Sequence, residues 1–367
     1  MPNLQVMHIF NFASKKPIIV IFISWFVFQL LLFLMFGITE THEAERFINN
    51  ASILLNDHQL GEFQLFYSFY ISIIAIDLFF TKSLLPIIFL QLSLNLFSTL
   101  LFFRILKRLL NNNIALWTTI IMIVSYPLQQ WNFYIYSESI FISELIIILY
   151  LLLNLSYQKV ISFLLLALVY IITFFTRPSA VYLTIPVLIF FIINYKMYNR
   201  NKLSALLFFL IVTMLAALSF RYNYFYLKEF TSEALDKNWI IYGYENIKIS
   251  GKSENTLLYF FEIISKRFIY YFGMIRPYYS KIHNILLLLY SFIIYFLAVI
   301  GIFNFTGFKR SINIFILLVI AAFSLATILT FINWHGRFIA PIIPFILIMA
   351  AIGYHIIERK LKSKKMT

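Results

Sequence analysis

Long apolar runs recur along the chain, and the charged residues gather in the stretches between them. A helix that crosses a bilayer needs roughly 20 mostly apolar residues. Ten runs meet this demand: 17–36, 85–105, 114–130, 138–156, 160–176, 179–195, 203–220, 284–304, 311–331 and 338–357. The first is too long for a removable signal peptide and lacks a small-residue cleavage site. An eleventh run, 64–80 (QLFYSFYISIIAIDLFF), is apolar enough to span as well, and if it did, every later loop would change side. The pattern predicts an all-α polytopic membrane protein of about ten transmembrane helices, forming a single integral domain over 1–367.

Charge decides how to treat 64–80. Cytoplasmic loops carry an excess of Lys and Arg. With 64–80 left as an interfacial, partly inserted segment and the N-terminus inside, 16 of the 29 basic residues fall on inside loops with one acid, Glu358. They are Lys15, Lys16, Arg104, Lys107, Arg108, Lys159, Lys196, Arg200, Lys202, Lys309, Arg310, Arg359, Lys360, Lys362, Lys364 and Lys365. Counting 64–80 as a span would put several basic clusters outside. Both termini are therefore expected in the cytoplasm, and the other 14 acids in outer loops or at membrane depth. Two outer loops are long, 37–84 and 221–283. Chemistry is expected on that outer face.

Composition narrows the classes. The chain is 62% hydrophobic and 12% charged, with 43 Phe and 24 Tyr. Average soluble domains are about 45–50% apolar and about 25% charged, so a water-soluble enzyme and a disordered chain are both excluded. The net charge of +14 orients the chain in a membrane and is not a nucleic-acid footprint. With no cysteine there is no disulfide, no thiolate nucleophile and no Cys-ligated zinc, and six scattered His offer no dedicated metal cage. Usage rich in Ile, Asn, Lys and Phe points to an AT-rich bacterial genome, hence to a bacterial plasma membrane.

The first outer loop contains an amphipathic helix over 42–57 (HEAERFINNASILLND). Ala44, Phe47, Ile48, Ala51, Leu54 and Leu55 recur at helical spacing and form one apolar stripe. Thr41 is the predicted N-cap, and Glu43 and Glu45 favour the first turn. Glu43 falls at the border of the stripe, where partial desolvation is expected to raise its pKa and make it a better base. The aromatics that open 64–80, Phe66, Tyr67, Phe69 and Tyr70, suit either an interfacial belt or a platform for a lipid substrate.

Charged side chains within spans are costly and mark candidate functional sites. Glu138, in YIYSESIF, sits at the outer mouth of the fourth span, with Glu144 nearly two turns further in. Arg177, Arg276 and Arg337 lie at outer helix mouths, Arg337 beside His335 and Arg276 close to Lys281 and His283. The planar guanidinium suits phosphate because it binds bidentately. The stretch 256–272 (TLLYFFEIISKRFIYYF) reads as an amphipathic helix on the membrane surface.

Taken in order, several of these stretches resemble the GT-C superfamily of membrane glycosyltransferases, in particular bacterial relatives of protein O-mannosyltransferases and of the lipid A aminoarabinose transferase. They are E-A-E-R-F (Glu43 to Phe47), the aromatic segment Phe66 to Phe80, the basic turn FFRILKRLLNNN (Phe102 to Asn113) and YP…YSESIF (Tyr126 to Phe141). FFTRPSAVYLTIP (Phe174 to Pro186) and HGRFIAPIIPFILIMAAIGY (His335 to Tyr354) complete the series. The R-[FY]-x-x-P-x-x-P pattern in the last is the most specific.

The resemblance implies a polyprenyl-phosphate sugar donor and inverting transfer at the outer half of the membrane. The acceptor would be a lipid-linked glycan, a cell-envelope glycan or a protein. Glu43 matches the first-loop catalytic acid, at a position where the family usually has Asp; Glu40 and Glu45 are the alternatives. Glu138 matches the second outer acid, to orient the acceptor or to hold a divalent cation with Glu43. Mg²⁺ or Mn²⁺ would suit such oxygen ligands, without the sequence requiring a metal. Arg337, Arg177 or Arg276 would bind the donor phosphate, with His335, His42, Arg46 and Tyr67 counted among the substrate-binding residues. A polysaccharide polymerase using lipid-linked oligosaccharide, and a transporter of lipid-linked sugars, are the competing readings.

Overall fold

The structure, a computed structural model, describes residues 15–61, 64–156, 159–194, 202–236, 239–242, 245–248, 256–276, 279–303, 310–330 and 336–364. Side chains are described for all of these except residues 42, 222–236, 239–242, 245–248, 256, 257, 259, 260, 330 and 364. His335 and the basic residues Lys196, Arg200, Lys309 and Lys365 lie outside the described residues.

The described chain is almost wholly helical. In order it forms α1 Pro17–Phe36, α2 His42–Asp57, α3 Ser68–Thr81, α4 Leu85–Leu109, α5 Asn112–Ile123 and α6 Glu138–Leu153. There follow α7 Val160–Thr176, α8 Thr184–Ile193, α9 Lys202–Asp236, α10 Thr256–Phe272, α11 Lys281–Phe303, α12 Arg310–Thr330 and α13 Ile343–Lys364. One antiparallel hairpin, β1 Trp239–Tyr242 with β2 Glu245–Lys248, is a departure from the all-α expectation. By length and composition, seven helical stretches can cross a membrane, among them Gln64–Thr81. Three shorter apolar helices join them, Asn112–Ile123, Val160–Thr176 and Pro178–Ile193.

Several sequence boundaries move, each for a local reason. The run 114–130 breaks after Ile123, because Pro127 opens a separate short helix, Tyr126–Gln129, which continues as a 3-10 turn, Gln130–Phe133. The run 338–357 begins as two 3-10 turns, Gly336–Phe338 and Ala340–Ile342, and Pro341 starts the second. The run 203–220 does not stop where its apolar residues thin out, since α9 continues to Asp236 inside the expected loop. α1 ends at Gly37, whose φ of 62° suits only glycine without strain, and whose N–H donates to Phe33 O at 2.8 Å.

Side-chain contacts sort the helix ends into two faces. On one, Arg108 at the end of α4 meets Asn154 just past α6. Rings of Phe163, Phe190, Phe191, Phe208 and Phe315 tie together the starts of α7, α9 and α12 and the end of α8. This basic face carries Arg108, Lys159, Lys202 and Arg310. On the other face, Thr39 N donates to Phe133 O at 2.9 Å, joining the chain after α1 to the segment before α6. α3 has both ends on this second face: Phe66 packs on Phe174 near the end of α7, and Asp77 Oδ2 accepts the N–H of Ile87 at the start of α4 at 3.1 Å. Although apolar enough to cross, α3 returns to the side from which it started.

Polar residues inside the apolar helices find one another, since unsatisfied polar groups in hydrocarbon are costly. Trp25 Nε1–H donates to Asn95 Oδ1 at 2.8 Å, and Ser98 bonds Ser143 at 3.2 Å. Gln29 donates to Gln129 at 2.7 Å, and Ser139 donates to Asn132 Oδ1 at 2.6 Å. Gln91 donates to the carbonyls of Asn132 and Tyr134, each at 3.0 Å. These bonds clamp the segment 126–136 between α1, α4 and α6. Among the described residues α11 and α13 make the most extensive helix pairing, where Gly301 and Gly353 let the backbones touch. A Cβ at Gly353 would lie 1.9 Å from Leu297 O, so no larger residue fits.

Candidate functional site

The amphipathic reading of α2 holds. Ala44, Phe47 and Ala51 are buried, and Ile48, Leu54 and Leu55 pack against the core. Phe47 meets Tyr67 and Tyr70 edge-on, with ring centroids 5.2 and 5.1 Å apart. Thr41 is the N-cap residue, but its hydroxyl does not close the helix; it pairs with the Tyr136 hydroxyl across the site. That bond and the Thr39–Phe133 bond fix the first turn of α2 beside the start of α6.

Glu43 is thereby aimed at Arg337, which the turn Gly336–Phe338 presents, and the two form an ion pair. A second pair lies beside it: Arg177, extended at the end of α7, places Nη1 2.6 Å from Glu138 Oε1 at the start of α6. The charge of Glu138 acts on Arg337, and that of Arg177 on Glu43, so the four groups share one electrostatic cluster. Tyr67 lies in the field of all three arginines, Arg177, Arg46 and Arg337. The Arg46 guanidinium sits 5.2 Å from the Phe47 ring centre and 5.7 Å from that of Tyr67.

The two pairs differ in exposure. Glu138 and Arg177 retain 3% and 10% of their side-chain surface, whereas Glu43 and Arg337 retain 31% and 18%. The first pair is a buried brace. The second keeps part of its surface accessible.

One expectation needs correction. Glu43 was expected to have a raised pKa. Burial does push its carboxyl up, but the hydrogen bond and charge of Arg337, with Arg46 and Arg177 behind it, outweigh burial and hold it below the ordinary carboxylate range. The helix α10 forms over Thr256–Phe272, the stretch read as amphipathic. On its inner side Arg267 is fully buried with Ile263 and Tyr271, and its Nη1–H donates to Ile328 O at 3.3 Å in the last turn of α12. There a cation meets the negative end of the helix dipole, and Leu258, Phe261, Phe268 and Ile269 face outward.

The structure brings together Glu43, Glu138, Arg177, Arg337, Arg46 and Tyr67. Arg276 sits in a neighbouring cluster: its Nη1–H groups donate to Gly273 O and Ile275 O at 2.6 and 2.8 Å, and its charge acts on Tyr295. With Asn284 bonded to its backbone, it holds the turn into α11, where Tyr279 stacks on His283 at 4.3 Å. His42 belongs to α2, but its side chain lies outside the described residues, as does His335 altogether. Glu144 is one layer deeper, accepting from Thr176 Oγ1 at 2.8 Å.

Sequence reasoning missed Tyr136 and Thr41. Burial raises the Tyr136 pKa, against the opposing hydrogen bond of Thr41, so the phenol keeps its proton at neutral pH. Its place two residues before Glu138 was the only available signal. Among the described residues no three His, Asp or Glu side chains converge on a metal-ligand set, and each carboxylate of the cluster faces a guanidinium. Neither a protein-family model nor a curated protein matches the sequence.

Proposed function

We propose that the chain is a GT-C-like membrane glycosyltransferase that moves a sugar from a polyprenyl-phosphate donor to an acceptor, with inversion, on the extracytoplasmic side of a bacterial plasma membrane. The observation that carries the reading is the convergence of Glu43, Glu138, Arg177 and Arg337, from four distant parts of the chain, into one cluster at one end of an apolar bundle. The topology fits it. Leaving out α3, six long helices, three shorter apolar ones and α6 make ten crossings. Both termini then lie on the basic face, which the positive-inside rule assigns to the cytoplasm.

In the proposed reaction the acceptor oxygen attacks the anomeric carbon and gives its proton to Glu43. The bond from that carbon to the phosphate oxygen breaks, and its electrons leave on the polyprenyl phosphate. Arg337 neutralises that charge as it develops. In the resting state Glu43 and Arg337 hold each other, so the donor phosphate takes over the guanidinium and frees the carboxylate to act as base. Arg177 and Glu138 keep the α6 and α7 ends rigid beneath this exchange. Tyr67, Tyr136 and Arg46 line the place where sugar and acceptor meet, and the apolar surroundings suit a prenyl chain.

Incubation of the purified protein with polyprenyl-phosphate sugars tests the class. Release of polyprenyl phosphate is expected. Release of a pyrophosphate from lipid-linked oligosaccharide would instead mark a polymerase, and movement across the bilayer without bond cleavage a transporter.

A further inference from the structure

On the face opposite the ion pairs, a groove of about 450 Å³ runs between α5, α11 and α13. That volume lies within the roughly 300–1,000 Å³ of small-molecule sites. Trp117 and Ile121 of α5, Ile294 and Leu297 of α11, and Leu347 and Ala351 of α13 make its apolar walls. Its mouth is polar, lined by Asn111, Asn113, Tyr354, Glu358 and Lys362. From Leu347 to Lys362 the groove follows α13 for about 22 Å at 1.5 Å per residue. One leaflet of hydrocarbon is about 15 Å deep. The groove thus matches a single acyl chain with its headgroup at the end where the basic residues gather. Trp117, Ile121 and Tyr354 are exposed on its flank, so a lipid enters sideways from the bilayer.

The mouth carries one charge of each sign: Lys362 Nζ lies 2.6 Å from Glu358 Oε1. The geometry points to a structural binding site for a glycerophospholipid whose headgroup bears both a phosphate and a primary ammonium, with the phosphate on Lys362 and the ammonium on Glu358. A purely anionic headgroup satisfies only the lysine and sets a like charge against the glutamate. A quaternary ammonium cannot donate a hydrogen bond to the carboxylate. The site is separate from the donor site, since its polar end faces the other side of the membrane, and it stands whether or not the proposed sugar transfer does.

The test uses the full chain in phosphatidylcholine vesicles with rising fractions of a lipid brominated in its acyl chains, which quenches nearby tryptophan. The difference between the native chain and Trp117→Phe isolates Trp117. Brominated phosphatidylethanolamine is expected to reach half-maximal quenching of Trp117 at a several-fold lower mole fraction than brominated phosphatidylglycerol or phosphatidylcholine. Lys362→Gln and Glu358→Gln, both in the last turns of α13, are each expected to abolish that preference while circular dichroism stays unchanged. Equal quenching by the three lipids, phosphatidylglycerol ahead of phosphatidylethanolamine, or a preference that survives both substitutions would overturn the assignment.

Discussion

The pairs Glu138–Arg177 and Glu43–Arg337 are made of the same two residue types and lie within electrostatic reach of each other, yet their surroundings assign them different work. Glu138 and Arg177 join the ends of two helices and are almost wholly buried. Removing one partner there leaves an uncompensated buried charge, whereas replacing both by apolar groups is tolerated far better. Glu43 and Arg337 join α2 to the turn Gly336–Phe338 and keep part of their surface. A pair that keeps this much surface is less costly to separate than a fully buried one, so under the proposed function it is the pair that a competing ligand would open. Burial, more than residue identity, separates the brace from the pair proposed to react.

The largest expected effect comes from breaking the brace. Arg177→Ala should destabilise the protein by about 3–5 kcal/mol, the usual cost of orphaning a buried charge, seen as a lower midpoint in thermal unfolding in detergent. The double change Arg177→Met with Glu138→Leu should recover most of that loss. If the single change unfolds no more readily than the native chain, the brace is not one.

Next in size is Arg337→Gln, which should leave folding intact and lower turnover by about 10²–10³-fold, the scale of one lost electrostatic contact to the transition state. Its pH profile carries the sharper information. With Arg337 present, the folded pKa of Glu43 is depressed, so the carboxylate persists to lower pH and the acid limb of kcat/KM lies below that of an ordinary glutamate. By the same sign, the stabilisation from this pair is present above the ordinary carboxylate pKa and fades as pH falls through the lowered one. Without Arg337, burial dominates and the limb should move up. A limb that stays put would separate Glu43 from the titrating base.

The smallest effect is expected from Tyr136→Phe. It removes one hydroxyl pairing with Thr41 and should cost about 0.5–1.5 kcal/mol of stability, measured in the same unfolding assay, with only a modest fall in rate. A loss as large as that of Arg177→Ala would move the brace to the Thr41–Tyr136 contact.

Much of the fold could be read from the chain because the bilayer imposes length and charge rules that act locally. The apolar runs and the amphipathic stripe from Ala44 to Leu55 follow from periodicity. Proline positions mark where spans break into 3-10 turns, but Pro127 and Pro341 do so without shortening the apolar run, which hid the breaks. The site was legible as a set of residue types at helix mouths, and not as pairs. Glu43 and Arg337 are 294 positions apart, and nothing local says that the guanidinium closing on Glu43 comes from there. For the same reason the spacing gives the wrong sign for the Glu43 shift: amphipathic periodicity reports desolvation, while a long-range arginine decides the direction. Arg276 carried the same local signature as Arg177 and Arg337, yet its guanidinium is spent on backbone carbonyls of its own turn.

The most direct test is the initial rate of polyprenyl phosphate release from a polyprenyl-phosphate sugar, measured for the native protein and for Glu43→Gln in the same vesicles at saturating donor. A fall of about 10²–10⁴-fold is expected, the usual contribution of a general base, in a variant that inserts, folds and binds donor like the native chain. A rate equal to the native one would contradict it.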